Sequence, residues 1–581
     1  MTSTCRLTSA MGVCLALLLG ACGTSGDAPE DAVGNSASPP PPVLQTTQYG
    51  KVQGIDDSAN TGTYSWKGVP FAKPPVGALR WKAPVEPDPW SGTLATQKFG
   101  NACIQNGRIY GPGSNNTYDG TIAATLNTPV GSEDCLTLNV WRPAGNATNL
   151  PVIFFVYGGS NISGYSADPV YDGAALAKGA NAVVVTTNYR LGVLGFLNVP
   201  QLKTGTDSAT DSVNFALLDI VQALKFVKNN IGSFGGDPGN VTLMGQSAGA
   251  INTWALLTSP LATGLFHKAV PLSGGISLAT DLPPGMIPLL NPASKYLTQG
   301  GALLDSLLIA DGLATDTTSA QTYIATQTNE QIAAYLRSKS AGVILTTVLS
   351  DGLTGSGPIP DGFVIPVDPI AAIAAGNYNK VPVLAGNTAD EGKLFAPYLT
   401  LLGGPPGIKI SDAVRFDLMA GFNPDAVSTL TAGDILDPAY LPVTAPSTGY
   451  NAKTALLTSV FTSPSRDNAL NTLITQQPNV WHYQFNWAQE PAPWQDVYGA
   501  AHVFDLPFLF GNFGPSLFSN VISSTANKPG RLALSSAMMA SLAAFVRTGD
   551  PNNASLGTAW QPWPHQIIFD ATLTQANISS Q

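Results

Sequence analysis

The stretch VTLMGQSAGA, residues 241–250, sets Ser247 between two glycines directly after a short apolar run. Gly-x-Ser-x-Gly is too short to decide anything by itself in a chain of 581 residues with 59 glycines, so its surroundings must. NVTLMG (240–245) reads as a strand and AGAINTWALL (248–257) as a helix, with Ser247 on the sharp turn between them. Such a turn needs small neighbours, which Gly245, Ala248 and Gly249 supply. It lifts the hydroxyl above the sheet edge and aims the next helix N-terminus at the reacting oxygen.

Working outward, further apolar runs read as strands: PVIFFVY (151–157), AVVVTTNY (182–189), KAVPL (268–272) and KVPVLAG (380–386). Near-continuous apolar strands of this kind suit a mostly parallel sheet covered on both faces. Between the second and third strands, Leu217, Val221, Leu224 and Ile231 recur at helical spacing, and the pattern stops at Phe234-Gly235-Gly236-Asp237-Pro238. Residues 279–375, rich in Leu, Ala, Thr and Pro without alternation, read as a largely helical insertion over the sheet and a candidate contributor to a substrate gorge or lid. No run after residue 45 reads as a transmembrane segment.

The amino terminus is different in kind. Residues 1–21 carry Arg6 and then the apolar stretch Met11 to Leu19, too short to span a bilayer, which is the pattern of an export signal. Leu19-Gly20-Ala21-Cys22 resembles the lipobox of bacterial lipoproteins and makes Cys22 a candidate for lipidation; the plainer reading is an ordinary signal peptide. Residues 22–45, rich in Gly, Ser, Pro and Ala, read as a tether, and 46–581 as one large domain. Of five cysteines, Cys103 and Cys135 then remain, either as buried thiols or as a pair in an oxidising space. The expected location is the membrane, through a lipid anchor alone, at the cell surface or periplasmic face, with some protein released. With 27 Lys and Arg against 37 Asp and Glu, a net charge of −10 makes nucleic acid and anionic lipid surfaces poor partners.

A serine nucleophile needs a base, and all four histidines follow it in sequence. His267 leads into a strand, His482 lies within one, and His565 lies in the Trp/Pro-rich tail. His502, in YGAAHVFDLPFLFG, falls in a loop after the last of these strands, where a base can reach the carboxyl edge of the sheet. On residues alone the choice between His502 and the other three stays open. The acid belongs between serine and histidine, and KVPVLAGNTADEGKLF offers Asp390 and Glu391 without deciding between them.

Eight ordered segments make the chain resemble the type-B carboxylesterase and cholinesterase family of α/β-hydrolases over nearly all of 46–570. They are GVPFAKPPVGALRW (68–81), SEDCLTLNVWRP (132–143), YGGSNISG (157–164), NYRLGVLGFL (188–197), FGGDPGNVTLMGQSAGA (234–250), GLFHKAVPLSGG (264–275), GNTADEG (386–392) and AAHVFDLPFLFG (500–511). The resemblance implies an α/β-hydrolase fold, with a central, mostly parallel twisted sheet flanked by helices and a helical insertion between nucleophile and acid. It implies Ser247 as nucleophile, Glu391 as acid, His502 as base and the N–H groups of Gly159, Ser160 and Ala248 as oxyanion hole. It further implies Ser273 as a supporting hydroxyl, a Cys103–Cys135 disulfide, and chemistry needing neither metal nor organic cofactor.

Two departures stand out: Gln246 where these esterases usually carry glutamate, and Ser160-Asn161 where they carry glycine and an aromatic residue. Both bear on the optimum pH and the shape of the acyl pocket more than on the reaction class. The implied activity is hydrolysis of small or polymeric carboxylic esters through an acyl-enzyme, with a long-chain lipase or polyester-degrading enzyme as the alternative. A silent binding protein is disfavoured by the intact triad. Choline specificity is disfavoured because residues 104–134 contain no tryptophan, only Tyr110 and Tyr118.

Overall fold

A computed structural model describes residues 42–353 and 355–581. The expected signal peptide, lipidation at Cys22 and all but the end of the tether lie outside the described residues. The fold begins inside the segment expected to be tether: Leu44–Thr47 is a strand pairing with Gly50–Gln53, because Val43 and Val52 are apolar enough to be buried.

The core is an eleven-stranded sheet. In chain order its strands are β1 (Ile55–Asp57), β2 (Thr63–Pro70), β3 (Thr137–Pro143), β4 (Leu150–Val156), β5 (Val183–Thr187), β6 (Gly236–Gln246), β7 (Lys268–Leu272), β8 (Val383–Thr388), β9 (Val480–Phe485), β10 (Ile567–Ala571) and β11 (Ala576–Ser580). They lie in the order β11-β10-β9-β8-β7-β6-β4-β5-β3-β2-β1. The neighbours from β10 through to β5 are parallel, and antiparallel strands close both edges. Every residue of β4, β5, β7 and β8 is buried, as strands covered on both faces require. This is the α/β-hydrolase arrangement expected from the sequence.

The order matters for function because β4 runs beside β5 on one side and β6 on the other. The chain therefore reverses its direction of travel there, and the carboxyl ends of β4 and β6 open a crevice of the kind in which α/β proteins bind ligands. Two helices cover this region: α1 (Phe215–Asn230), which ends through a 3-10 turn at Gly235 with φ 83°, and α2 (Ala248–Thr258), which leaves the carboxyl end of β6. A third, α3 (Lys528–Thr548), is long and apolar enough to cross a membrane by length and composition, contrary to the reading of the sequence. Its Leu534, Met538, Leu542, Phe545 and Val546 are instead buried in the core.

The insertion is helical as expected, with helices at Ala293–Ala310, Thr317–Ala325, Asn329–Ser338, Ala341–Ser350 and Pro369–Ala374. A buried ion pair braces the crevice from below. Asp219 on α1 accepts the backbone N–H (3.0 Å) and Nε (2.8 Å) of Arg190 on Oδ2, and Nη2 (2.7 Å) on Oδ1. Arg190 Nη1 continues to the Lys82 carbonyl at 2.9 Å, so one guanidinium joins three distant segments. Removing one member of such a pair leaves an uncompensated buried charge. Asp219→Asn is therefore expected to cost about 3–5 kcal/mol, read as an earlier chemical-denaturation midpoint. An unshifted midpoint would show that the brace contributes nothing.

Candidate active site

Ser247 sits at φ 58°, ψ −123°, a conformation that L residues rarely adopt, between β6 and α2. Its N–H donates to the Leu272 carbonyl at 2.8 Å, which anchors the turn to the neighbouring β7. The turn is also pressed against β4: a Cβ at Gly249 would collide with the Val156 carbonyl oxygen, and one at Gly245 with the carbonyl of Gly249. Glycine at both positions is thus a steric requirement, and Ser247 is held up at the rim of the crevice.

Glu391 opens a short helix just after β8 and is 1 % exposed. Its Oε2 meets His502 Nδ1 in a short hydrogen bond. Its Oε1 accepts from Ser273 Oγ (2.7 Å), Thr388 N (2.9 Å) and Asn387 Nδ2 (3.0 Å). Burial works against the carboxylate, but His502 and these donors outweigh it and hold Glu391 below the ordinary glutamate value. The neighbouring Asp390 faces elsewhere: it pairs with Lys393 at 3.4 Å, accepts the Ala500 N–H at 3.1 Å and gives its own N–H to the Ala500 carbonyl at 2.8 Å. The two acids left open by the sequence therefore divide the work, Glu391 facing the imidazole and Asp390 fastening the segment that carries it.

With a carboxylate at Nδ1, the network puts the His502 proton there and leaves Nε2 as an acceptor. Nε2 is engaged by the Gln246 amide at 3.1 Å. The Phe395 ring lies 4.8 Å from the imidazole, centroid to centroid. The other histidines stand apart. His267 Nδ1 accepts the Val241 N–H at 3.1 Å, and His565 is exposed in a turn. His482 is buried behind Asn387 at 3.4 Å, and burial keeps its pKa well below the ordinary value.

The N–H groups of Gly159, Ser160 and Ala248 have no acceptor among the described residues, although their neighbours Ile162 and Ser163 donate normally. Gly159, Ser160 and Ser247 line one pocket of about 270 Å³ with Gln246 and His502. Cys103 and Cys135 form a disulfide, and the loop that it closes brings Arg108, Tyr110 and Tyr118 into the same wall. The expectation that residues 279–375 shape the gorge is corrected here, because none of them lines this pocket. The insertion packs against the loop at residues 158–164 instead, with Ser356 Oγ donating to the Asn161 carbonyl at 3.0 Å. Asn161 likewise does not line this pocket; it is 1 % exposed and turned inward, whereas Ser160 does line it.

A further buried carboxyl escaped the sequence reading. Asp505 lies three residues beyond His502, accepts the Tyr483 hydroxyl on Oδ2 at 2.7 Å and has no partner for Oδ1 among the described residues. Its only signal in the sequence is this spacing, which does not distinguish it from any loop acid.

The chain is similar to known esterases over nearly all of its length. The model of the family described as "Carboxylesterase family" matches residues 40–577. The para-nitrobenzyl esterase of Bacillus subtilis is 30% identical over 555 residues, 92% of this chain and 96% of that one. The fumonisin B1 esterase of Sphingopyxis macrogoltabida is 32% identical over 524 residues, covering 89% and 84%. Among solved structures, a carboxylesterase of Geobacillus stearothermophilus superposes with a TM-score of 0.68 at 29% identity, covering 93% of this chain and 98% of that one. The chain belongs to the carboxylesterase family, and it is a carboxylic ester hydrolase.

Burial, aided by the Glu391 charge and only partly offset by the Tyr483 hydrogen bond and His502, leaves Asp505 raised from 3.8 to about 6. A carboxyl raised on folding stabilises the native state while protonated, and that contribution is lost as pH rises through the folded value. Asp505→Asn does not titrate, so its melting temperature relative to the parent should climb between pH 4 and pH 7 and then level off. A constant difference across that range would remove Asp505 as the titrating group.

Proposed function

We propose that Ser247 is the nucleophile of this esterase, His502 its general base and Glu391 the group that orients and charges the imidazole. The observation that carries the reading is that an elbow serine, a histidine joined to a buried carboxylate and the loop residues Gly159 and Ser160 line one pocket, with Ala248, whose N–H likewise has no acceptor among the described residues, directly after the serine. In this reading His502 Nε2 takes the Ser247 proton as Oγ attacks the ester carbonyl. The N–H groups of Gly159, Ser160 and Ala248 hold the tetrahedral oxyanion, His502 returns the proton to the departing alcohol, and water then releases the acid by the same steps. Ser273, Asn387 and Thr388 keep Glu391 fixed and ionised throughout.

The substrates we infer are short- to medium-chain esters with an aromatic or otherwise flat apolar part. A volume of about 270 Å³ is small for a long acyl chain, and Tyr110, Tyr118 and Phe395 offer ring faces. The name of the para-nitrobenzyl esterase supports the same class. Export and lipid at Cys22, carried by the sequence Leu19-Gly20-Ala21-Cys22, would put the enzyme where exogenous esters arrive.

Ser247→Ala is expected to lower kcat on the order of 10⁶-fold while the protein still folds. A panel of 4-nitrophenyl and benzyl esters from two to sixteen acyl carbons should show kcat/KM falling steeply beyond medium length. A maximum at the longest chains would favour the lipase reading, and surviving turnover in the alanine variant would end the assignment of Ser247.

Gln246 sets a second expectation. Its amide donates to the lone pair that His502 needs as a base, so it must release Nε2 before Ser247 can use it. A carboxylate at this position would instead favour the imidazolium. Gln246→Glu should therefore move the acid limb of the kcat/KM profile to higher pH, and superimposable profiles would show the position to be electrostatically silent.

A further inference from the structure

The oxyanion loop holds two successive residues in the left-handed region, Ser160 and Asn161, each at φ 57°. Asparagine tolerates that conformation and serine does so poorly, so the loop stores strain that something outside it must hold. The holding group is visible. Asn161 is buried, and its Oδ1 accepts from Asn252 Nδ2 at 2.9 Å while its Nδ2 donates back to Asn252 Oδ1 at 3.4 Å. Asn252 is wholly buried on α2, five residues after Ser247. The Asn161 carbonyl is tied as well, to the Gly192 N–H at 2.7 Å and to Ser356 Oγ at 3.0 Å.

Buried amides are ordinarily paired, so pairing alone would mean only that these two side chains are satisfied. The placement says more. Asn161 immediately follows Ser160, whose N–H belongs to the loop half of the oxyanion hole, and Asn252 lies on the helix whose first residue, Ala248, supplies the other half. Loop and helix leave different strands, and beyond the close backbone approach at Gly158 and Gly249 the amide pair joins them through side chains. We propose that the Asn161–Asn252 amide pair is a positioning clasp that sets the distance between the two halves of the oxyanion hole. The inference rests on reading Ser160 and Ala248 as oxyanion donors.

Asn252→Ala and Asn161→Gly each open the clasp, and glycine at 161 keeps the left-handed backbone without penalty. Each variant is expected to lower kcat about tenfold to a hundredfold with KM within about twofold of the parent, as small misplacements of reacting groups do. Because either change opens the same contact, the double variant should lose little more than the weaker single one. An aryl trifluoromethyl ketone reads the hole directly: Ser247 Oγ adds to its carbonyl, the serine proton passes to His502 and the ketone oxygen becomes the oxyanion. Its affinity should fall by the same factor as kcat/KM, while affinity for the matching methyl ketone stays at the parent's level.

Additive losses in the double variant, a raised KM at constant kcat, or an unchanged trifluoromethyl ketone affinity in folded variants would each overturn the clasp. If either single variant does not fold, Asn252→Ser, which keeps a shorter donor and acceptor, takes its place and should show a smaller loss in the same quantities. Parental kcat and trifluoromethyl ketone affinity in that variant would likewise overturn the proposal. A parent enzyme that binds the trifluoromethyl ketone no better than the methyl ketone would overturn the oxyanion reading itself, whereas tight parental binding kept in the variants overturns the clasp alone.

Discussion

The site depends on one close approach, that of the turn at residues 245–249 to the end of β4. A Cβ at Gly158 would meet the Gln246 carbonyl oxygen and Ser247 Cβ at 2.7 Å each, and one at Gly249 would collide with the Val156 carbonyl. Backbone therefore lies directly on backbone, and the serine and the loop that faces it are placed by main-chain atoms. Side-chain packing could not hold these two segments so close, since any added atom would push them apart. The covered parallel strands make this possible by fixing where β4 and β6 end.

Around that contact the charges are arranged in sequence from buried to open. Glu391 is the deepest and has every oxygen engaged, so its cost of burial is offset by hydrogen bonds already in place. His502 is next, joined to the carboxylate on one edge and to a neutral amide on the other. Ser247, with Gly159 and Ser160, lies outermost, on the pocket wall. Both oxygens of the carboxylate that faces the imidazole are thus satisfied, whereas the nearby Asp505 keeps one oxygen without a partner among the described residues.

Much of this was legible in the chain because it is local. Strand, elbow and helix occupy one continuous stretch, and the apolar run of 151–157 falls on a strand buried throughout. What was not legible depends on partners far apart in sequence. Asp390 and Glu391 are neighbours in one loop, and only the course of the chain at Ala500 and His502 sends one to the backbone and the other to the ring. The insertion announced its helices by composition but not the side of the site on which they pack, because that is set by contacts such as Ser356 with Asn161. The Gln246 contact with His502 and the pairing of Asn161 with Asn252 are likewise invisible to any pattern of spacing.

The loop closed by Cys103 and Cys135 carries Arg108, Tyr110 and Tyr118 to the pocket, yet supplies none of the groups proposed to react. Part of the pocket wall is therefore carried by a cross-linked hoop separate in the chain from the groups proposed to react, which sit at the ends of the sheet. Sequence drift within the hoop can retune which esters are admitted while the chemistry stays intact. The cross-link also makes the shape of the entrance answer to the oxidation state of the surroundings, so the same polypeptide in a reducing space would keep its reacting groups and present a looser doorway.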